Sequence, residues 1–334
     1  ETTLTTEGGK ACIDFAVERG LQYIEFDAGW YGDEYDAASD AATVTRSEKK
    51  AGIPGQLDLR QVIRYGKERG IGVWVYVNRR QLEEKLEQIL PLYHDWGIAG
   101  VKYGFVRVGS QRWTDWLHRA VRLAAENELM VDIHDEYRPT GYSRTYPNLL
   151  TQEGIRGNEE MPPPWHNCVL PFTRFLCGAG DYTFCWYSDR IQTTHAHQLG
   201  ASVVYYSPLQ FLFWYDRPAQ YKGEPELEFW KHLPTTWDET RVVLGEIGEY
   251  AAVARRSGAD WFLGVINARE RRALEVPLAF LDAGEDYTAH LHADAHPEGD
   301  ADTAVRNIAR HVTRRSLLRL DCAANGGAAV RLTP

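Results

Sequence analysis

LDLRQVIRYGKERGIGVWVYVNRRQLEEKLEQILPLYHDWGIAGVKYGFV, residues 57–106, decides the fold. Leu57 to Arg69 has helical spacing and is closed by Gly70, and Ile71 to Val77 is a short run of β-branched and aromatic residues ending at Asn78. Gln81 to Trp96 is helical again and stops at Gly97, and Val101 to Val106 is a second strand. The pattern extends outward in both directions. Upstream, Lys10 to Arg19 reads as a helix stopped by Gly20, and Leu21 to Phe26 as a strand that turns off at Asp27-Ala28-Gly29-Trp30. Downstream, Trp113 to Asn127 is a helix and 129–134 a strand. Helix, glycine, apolar strand and polar loop in alternation predict an α/β fold of parallel strands covered by helices. No G-x-G-x-x-G phosphate turn appears, which favours a closed (β/α)8 TIM-type barrel over an open sheet. Further strands are expected at 148–152, 180–186 and 202–206. That makes seven, and the chain opens on a helix where a barrel opens on a strand.

From about Thr240 the pattern changes to short alternating segments, Asp260 to Asn267, Leu274 to Pro277, Asp286 to His292 and Ala328 to Leu332. They predict a small antiparallel, sandwich-like β domain. The expected domains are 1–239 and 240–334, joined within Thr235 to Gly248.

The 334 residues suffice for a barrel-sized core plus a small second domain. A net charge of -10 argues against a nucleic-acid binder, which needs a basic stripe. No apolar run is long enough to span a membrane as a helix, and no stretch reads as a signal peptide. The five cysteines, Cys12, Cys168, Cys177, Cys185 and Cys322, form no C-x-x-C pair, which disfavours a zinc site or a disulfide scaffold.

Candidate chemistry concentrates between His134 and Glu160, HDEYRPTGYSRTYPNLLTQEGIRGNEE. Asp135, Glu136, Glu153, Glu159 and Glu160 follow the strand that carries Asp132, with Pro139, Gly141, Pro147 and Gly154 between them. Helices tolerate such punctuation poorly, so the carboxylates belong on strand ends and loops. There they suit acid–base work and hard cations. Asp27, Trp30, Lys102 and His134 also fall at strand ends, where they would grip sugar hydroxyls or stack on a ring.

RPTG-x-x-RTYPN at Arg138 to Asn148, Glu153, and G-x-E at Gly157 to Glu159 resemble glycoside hydrolase family 97. So do His166-Asn167, LPFTRF at Leu170 to Phe175, DYT at Asp181 to Thr183, and the segment His197 to Gln210. The resemblance spans nearly the whole chain. It implies an exo-acting α-glucosidase or α-galactosidase, periplasmic or secreted, with an N-terminal β-sandwich, a catalytic barrel, a C-terminal β domain and calcium in the active site. The sandwich and the first barrel strand have no counterpart in these residues.

On that resemblance Glu159 is the general acid, its proton held by burial or neighbouring charge. Retaining members carry an aspartate after the Val-Lys pair, where this chain has Gly104. Inverting members place base glutamates at positions that are here Asn78 and Asp135. Asp135 is then the base for an attacking water, with inversion, and Glu136 its rival. Calcium would be held by Glu153, Asp135 and Glu159. The expected partners are an oligosaccharide or α-glycoside substrate and either a separate sandwich domain or a homo-oligomer, with no nucleic acid and no membrane. Two alternatives stay open: a catalytically impaired carbohydrate-binding relative, and a subunit active only with a separate N-terminal sandwich.

Overall fold

The computed structural model describes residues 4–52, 54–299 and 302–334. It divides into two compact units, Glu1–Gly154 with Arg217–Gln220, and Ile155–Asp216 with Tyr221–Pro334.

In the first unit, helix α1 (Thr6–Arg19) leads to strand β1 (Tyr23–Phe26), followed by a long loop that holds the short α2 (Glu48–Ala51). Then come α3 (Leu59–Lys67), β2 (Gly72–Asn78), α4 (Arg79–Trp96), β3 (Gly100–Gly104), α5 (Gln111–Glu126), β4 (Met130–Ile133) and β5 (Leu149–Gln152). Local sequence sets the boundaries. Thr5 and Asp58 accept amide hydrogens at the starts of α1 and α3. Gly20 and Gly97 end α1 and α4 in the left-handed conformation.

The five strands pair in parallel in the order β1-β2-β3-β4-β5. Successive side chains on a strand point to opposite faces. One face carries Phe26, Val73, Val75, Val77, Val101, Tyr103, Val131 and Ile133, packed in one apolar cluster with Ile13, Val62, Ile63, Leu86 and Val121 of the helices. The other face carries Glu25, Tyr76, Asn78, Lys102, Asp132 and Thr151. A parallel sheet covered on both sides reads as continuous hydrophobic runs; here the second face turns polar toward the carboxyl ends of the strands, above Trp74 and Met130.

Among the described residues the second unit holds α6 (Pro164–Val169), α7 (His195–Val204), α8 (Glu228–His232) and eight strands. These are β6 (Glu239–Glu246), β7 (Tyr250–Ser257), β8 (Asp260–Asn267), β9 (Arg272–Pro277), β10 (Asp286–Asp294), β11 (Val305–Thr313), β12 (Leu317–Cys322) and β13 (Gly327–Thr333). Six form an antiparallel sheet in the order β11-β10-β13-β8-β7-β6, and β12 pairs with β9 beside it. Ala252, Leu263 and Val265 meet Leu274, Val276 and Leu320 of the small sheet. On the opposite face, Ala251, Phe262 and Ile266 meet Leu199 and Val203 of α7.

Two expected strands are absent. Residues 202–206 belong to or immediately follow α7. A Cβ on Gly200 would stand 2.3 Å from the Val265 carbonyl oxygen, so the glycine lets α7 lie directly on β8. Residues 180–186 form no strand: Thr183 is left-handed, φ 55°, and the backbone bonds are scattered over different partners, among them Gly180 N–H to Tyr206 O at 3.0 Å and Phe184 N–H to Phe211 O at 2.8 Å. The compact units divide at Gly154, because α7 and its neighbours pack with the antiparallel sheet.

Candidate active site

The parallel strands bring six of the sequence-nominated residues into one unit: Asp27, Trp30, Lys102, His134, Asp135 and Glu153. Lys102 is 2% exposed, and its Nζ lies 3.1 Å from Asp27 Oδ2 and 3.9 Å from Glu25 Oε1. Burial alone would raise the Asp27 carboxyl. The Lys102 ammonium, the Ala28 amide and the more distant His134 together bring it below its ordinary value. Asp27 is therefore an ionised carboxylate at neutral pH, beside a buried cation.

His134 follows β4. Its Nδ1 lies 3.2 Å from Glu153 Oε2 and its Nε2 3.8 Å from Asp132 Oδ2. The same Glu153 oxygen accepts the Asp135 amide at 2.5 Å. Asp135 adopts a left-handed backbone, φ 66°, uncommon for a residue with a side chain and often seen at sites under functional constraint. Its Oδ2 accepts the Val106 amide at 3.1 Å, just beyond the end of β3. Burial raises the Asp135 carboxyl above its ordinary value, against the opposing pull of His134, the amides of Val106 and Phe105, and Lys102. Glu136, the rival base, is exposed.

One expectation is corrected here. Trp30 is fully buried; its Nε1–H donates to the Tyr76 carbonyl at 2.7 Å and its ring packs edge-on against Tyr31, Tyr93 and Trp96. With no face open, it is a core residue and cannot stack on a sugar. Asn78 caps α4, its Oδ1 accepting the Arg80 amide at 3.1 Å, while its Nδ2 donates to the Tyr76 hydroxyl at 3.2 Å.

Glu159 belongs to the second unit, on a 3-10 turn of Asn158–Glu160. Its amide donates to Thr183 Oγ1 at 3.0 Å, and the Thr183 amide donates in turn to Asp181 Oδ1 at 3.1 Å. Asn158 Nδ2 donates to Gln198 Oε1 at 3.2 Å, so the turn is tied to α7. Glu159 is half-buried and its charge helps to raise the Tyr215 hydroxyl and the Cys185 thiol, each dominated by burial. Asp216 was not nominated from the sequence. Burial pushes it up to about 6 although the Tyr187 and Trp186 amides, at 2.9 and 2.6 Å, donate to it. Nothing in the sequence marks it, because the donors lie 29 and 30 positions away.

The model for glycoside hydrolase 97 matches residues 1–155, and the model for the glycosyl-hydrolase 97 C-terminal, oligomerisation domain matches 236–333. The chain is 30% identical to a retaining alpha-galactosidase of Bacteroides thetaiotaomicron over 97% of its own length and 50% of that protein's. It is 35% identical to a probable retaining alpha-galactosidase of Streptomyces bingchenggensis, over 80% of this chain and 42% of that one. It thus spans about half the length of the relatives it matches. Among solved structures, a glycoside hydrolase family 97 enzyme from Pseudoalteromonas sp. strain K8 in complex with acarbose superposes with a TM-score of 0.86, at 27% identity, over 98% of this chain and 56% of that one. Two family models in the right order, and likeness in sequence and in fold along almost every residue, lead to one conclusion: the chain belongs to glycoside hydrolase family 97.

Proposed function

We propose that this chain is the barrel-and-C-terminal portion of an exo-acting glycoside hydrolase that removes terminal α-linked glycosyl units, with α-galactosides as the first substrate to test. The observation that carries this reading is the polar face at the carboxyl ends of five parallel strands, where an ionised Asp27–Lys102 pair stands with a carboxyl of raised pKa, Asp135. Catalytic groups of barrel enzymes occupy that end of the strands. The unreversed order β1 to β5 is that of a barrel sector, and we take the barrel to close with strands beyond these five. The names of the two relatives favour galactosides.

In this reading Asp27 accepts hydrogen bonds from sugar hydroxyls while Lys102 donates to them. Asp135 is the general base. A raised pKa brings a carboxylate nearer the operating pH, where it removes a proton from water more effectively. Glu159 protonates the leaving oxygen, as its motif implies. Gly104 offers no carboxylate, so water attacks the anomeric carbon and the first product has the β configuration. The second reading is retention, favoured by the relatives' names, and it requires a carboxylate nucleophile other than residue 104.

Calcium is part of the proposal. The hard oxygens of Glu153, Asp135 and Glu159 suit that ion, which when bound would supply positive charge to sugar hydroxyls and neighbouring carboxylates. Glu153 already receives His134 and the Asp135 amide on one oxygen, so the protein holds that side chain in place. We further propose a periplasmic or secreted location, and association of copies through residues 236–333. The test is hydrolysis of p-nitrophenyl α-galactoside and α-glucoside by the chain, alone and with a separately produced family 97 β-sandwich domain. Saccharide binding without hydrolysis under both conditions would leave a binding protein instead.

A further inference from the structure

We infer that Tyr76 is the residue that excludes a side chain, and hence a carboxylate nucleophile, from position 104 at the end of β3. This goes beyond the functional reading above, and rests on it only for the consequence to stereochemistry. A Cβ built on Gly104 would lie 1.9 Å from Tyr76 Cε2, 2.5 Å from Cζ and 2.5 Å from the hydroxyl oxygen. Real Cβ atoms do not approach other heavy atoms so closely. The ring does not yield cheaply, because Tyr76 is 4% exposed and anchored at both ends. Its carbonyl accepts the Trp30 indole N–H at 2.7 Å, and its hydroxyl accepts Asn78 Nδ2 at 3.2 Å. Burial, with the nearby Asp27 charge, raises the phenol well above its ordinary value, so it stays protonated and is no nucleophile itself.

The arrangement has a geometric cause. Tyr76 pairs in register with Lys102, and Asn78 with Gly104. The Tyr76 ring therefore leans diagonally across β3 onto the next inward-facing position. At the start of β3, Trp74 stands directly opposite Gly100, and a Cβ there would meet its ring at 2.5 Å. The end of β3 is thus side-chain-free by construction, while the amides just beyond it bind Asp135. Two residues, 76 and 104, decide together whether a carboxylate can stand there. A change at 104 alone cannot install one.

The test is a double-mutant cycle on the full chain, read by thermal melting and by product stereochemistry. Gly104→Ala alone should lower the melting temperature by about 2–12 °C, the range for overpacking a filled site. In a Tyr76→Ala background the same change should cost nothing further, because the ring it strikes is gone. Tyr76→Phe should give only partial relief, since it removes the hydroxyl oxygen at 2.5 Å but leaves the ring carbons at 1.9 and 2.5 Å. Should Tyr76→Ala fail to fold, Tyr76→Val, a strand-compatible truncation, takes its place in the cycle. Equal losses from Gly104→Ala in the tyrosine and truncated backgrounds would overturn the inference, whether or not the chain is active.

On p-nitrophenyl α-galactoside, Gly104→Asp combined with Tyr76→Ala should release an α-configured first product. The new carboxylate bonds to the anomeric carbon as the glycosidic C–O bond breaks and the leaving oxygen takes up a proton. Water then cleaves the glycosyl ester. Gly104→Asp in the parent background should not do so. Inactivity of the parent chain would count against the functional reading, and the stability cycle alone would then decide the role of Tyr76.

Discussion

Replacing Lys102 with methionine keeps the length of the side chain and removes its charge. Lys102 is the buried cation of the polar face, 3.1 Å from one Asp27 oxygen and 3.9 Å from Glu25. Removing one member of a buried pair costs about 3–5 kcal/mol, because the other charge is left uncompensated. Asp27 retains 27% of its side-chain exposure, so water partly relieves it, and the lower end, about 3 kcal/mol, is expected. For a unit of this size that is a fall of about 6–12 °C in melting temperature.

The loss must also depend on pH. In the parent chain Asp27 has a folded pKa below its unfolded value. Its contribution is present above the unfolded pKa and lost as pH falls through the folded one. In Lys102→Met the same carboxylate lacks its cation, burial raises its pKa, and protonation relieves the unpaired charge. The deficit should therefore narrow between pH 7 and pH 5. Urea unfolding followed by hydrogen exchange in peptides covering residues 72–104 reads the first unit separately from the second. A deficit below about 1 kcal/mol at pH 7, or one that does not change with pH, would refute the reasoning, since an exposed pair is worth no more than that.

Asp135→Asn should abolish the acidic limb of the pH–rate profile for kcat/KM, which in the parent is displaced upward from an ordinary aspartate's by burial, and should reduce turnover at least about 100-fold. The same variant should be no less stable than the parent at pH 7. A carboxyl whose folded pKa is raised favours the native state below its unfolded pKa and loses that contribution as pH rises through the folded value. Glu159→Gln should reduce turnover of p-nitrophenyl galactoside less than that of a natural disaccharide, whose poorer leaving group needs the proton; equal effects would remove it as the acid. Calcium at about 100 times its dissociation constant should stabilise the chain by about 2.7 kcal/mol, and Glu153→Gln should erase that shift in differential scanning fluorimetry. Trp30→Phe should leave KM unchanged within twofold while lowering stability, as befits a core ring.

The sequence made the first unit readable because helix and strand there follow their own periods and glycines stop them. Every strand from β1 to β5 overlaps its expected position. The reading failed where tertiary packing outweighs local preference. Val203, Val204 and Tyr205 look like a strand, yet α7 is buried along its length against β8 and β13, polar His197, Gln198 and Ser202 included, so no apolar stripe set against a polar face marks it as a helix. The segment 180–186 has strand composition without a continuous ladder partner. β6 and β11 were missed for the opposite reason. Both are edge strands, and their polar, mostly exposed residues give little alternation. At the site, charged residues at strand ends were legible from spacing alone. The burial of Trp30 and the contact of Tyr76 with Gly104 were not, because each depends on the register between neighbouring strands.

In the proposed reaction water, not a protein carboxylate, attacks the anomeric carbon at a site whose β3 end carries no side chain. Proton NMR of the first turnovers on p-nitrophenyl α-galactoside, recorded before mutarotation, measures this directly. The account predicts β-galactose as the first sugar released. An α-configured first product, or a glycosyl adduct trapped on any carboxylate of the chain by an activated fluorosugar, would contradict it.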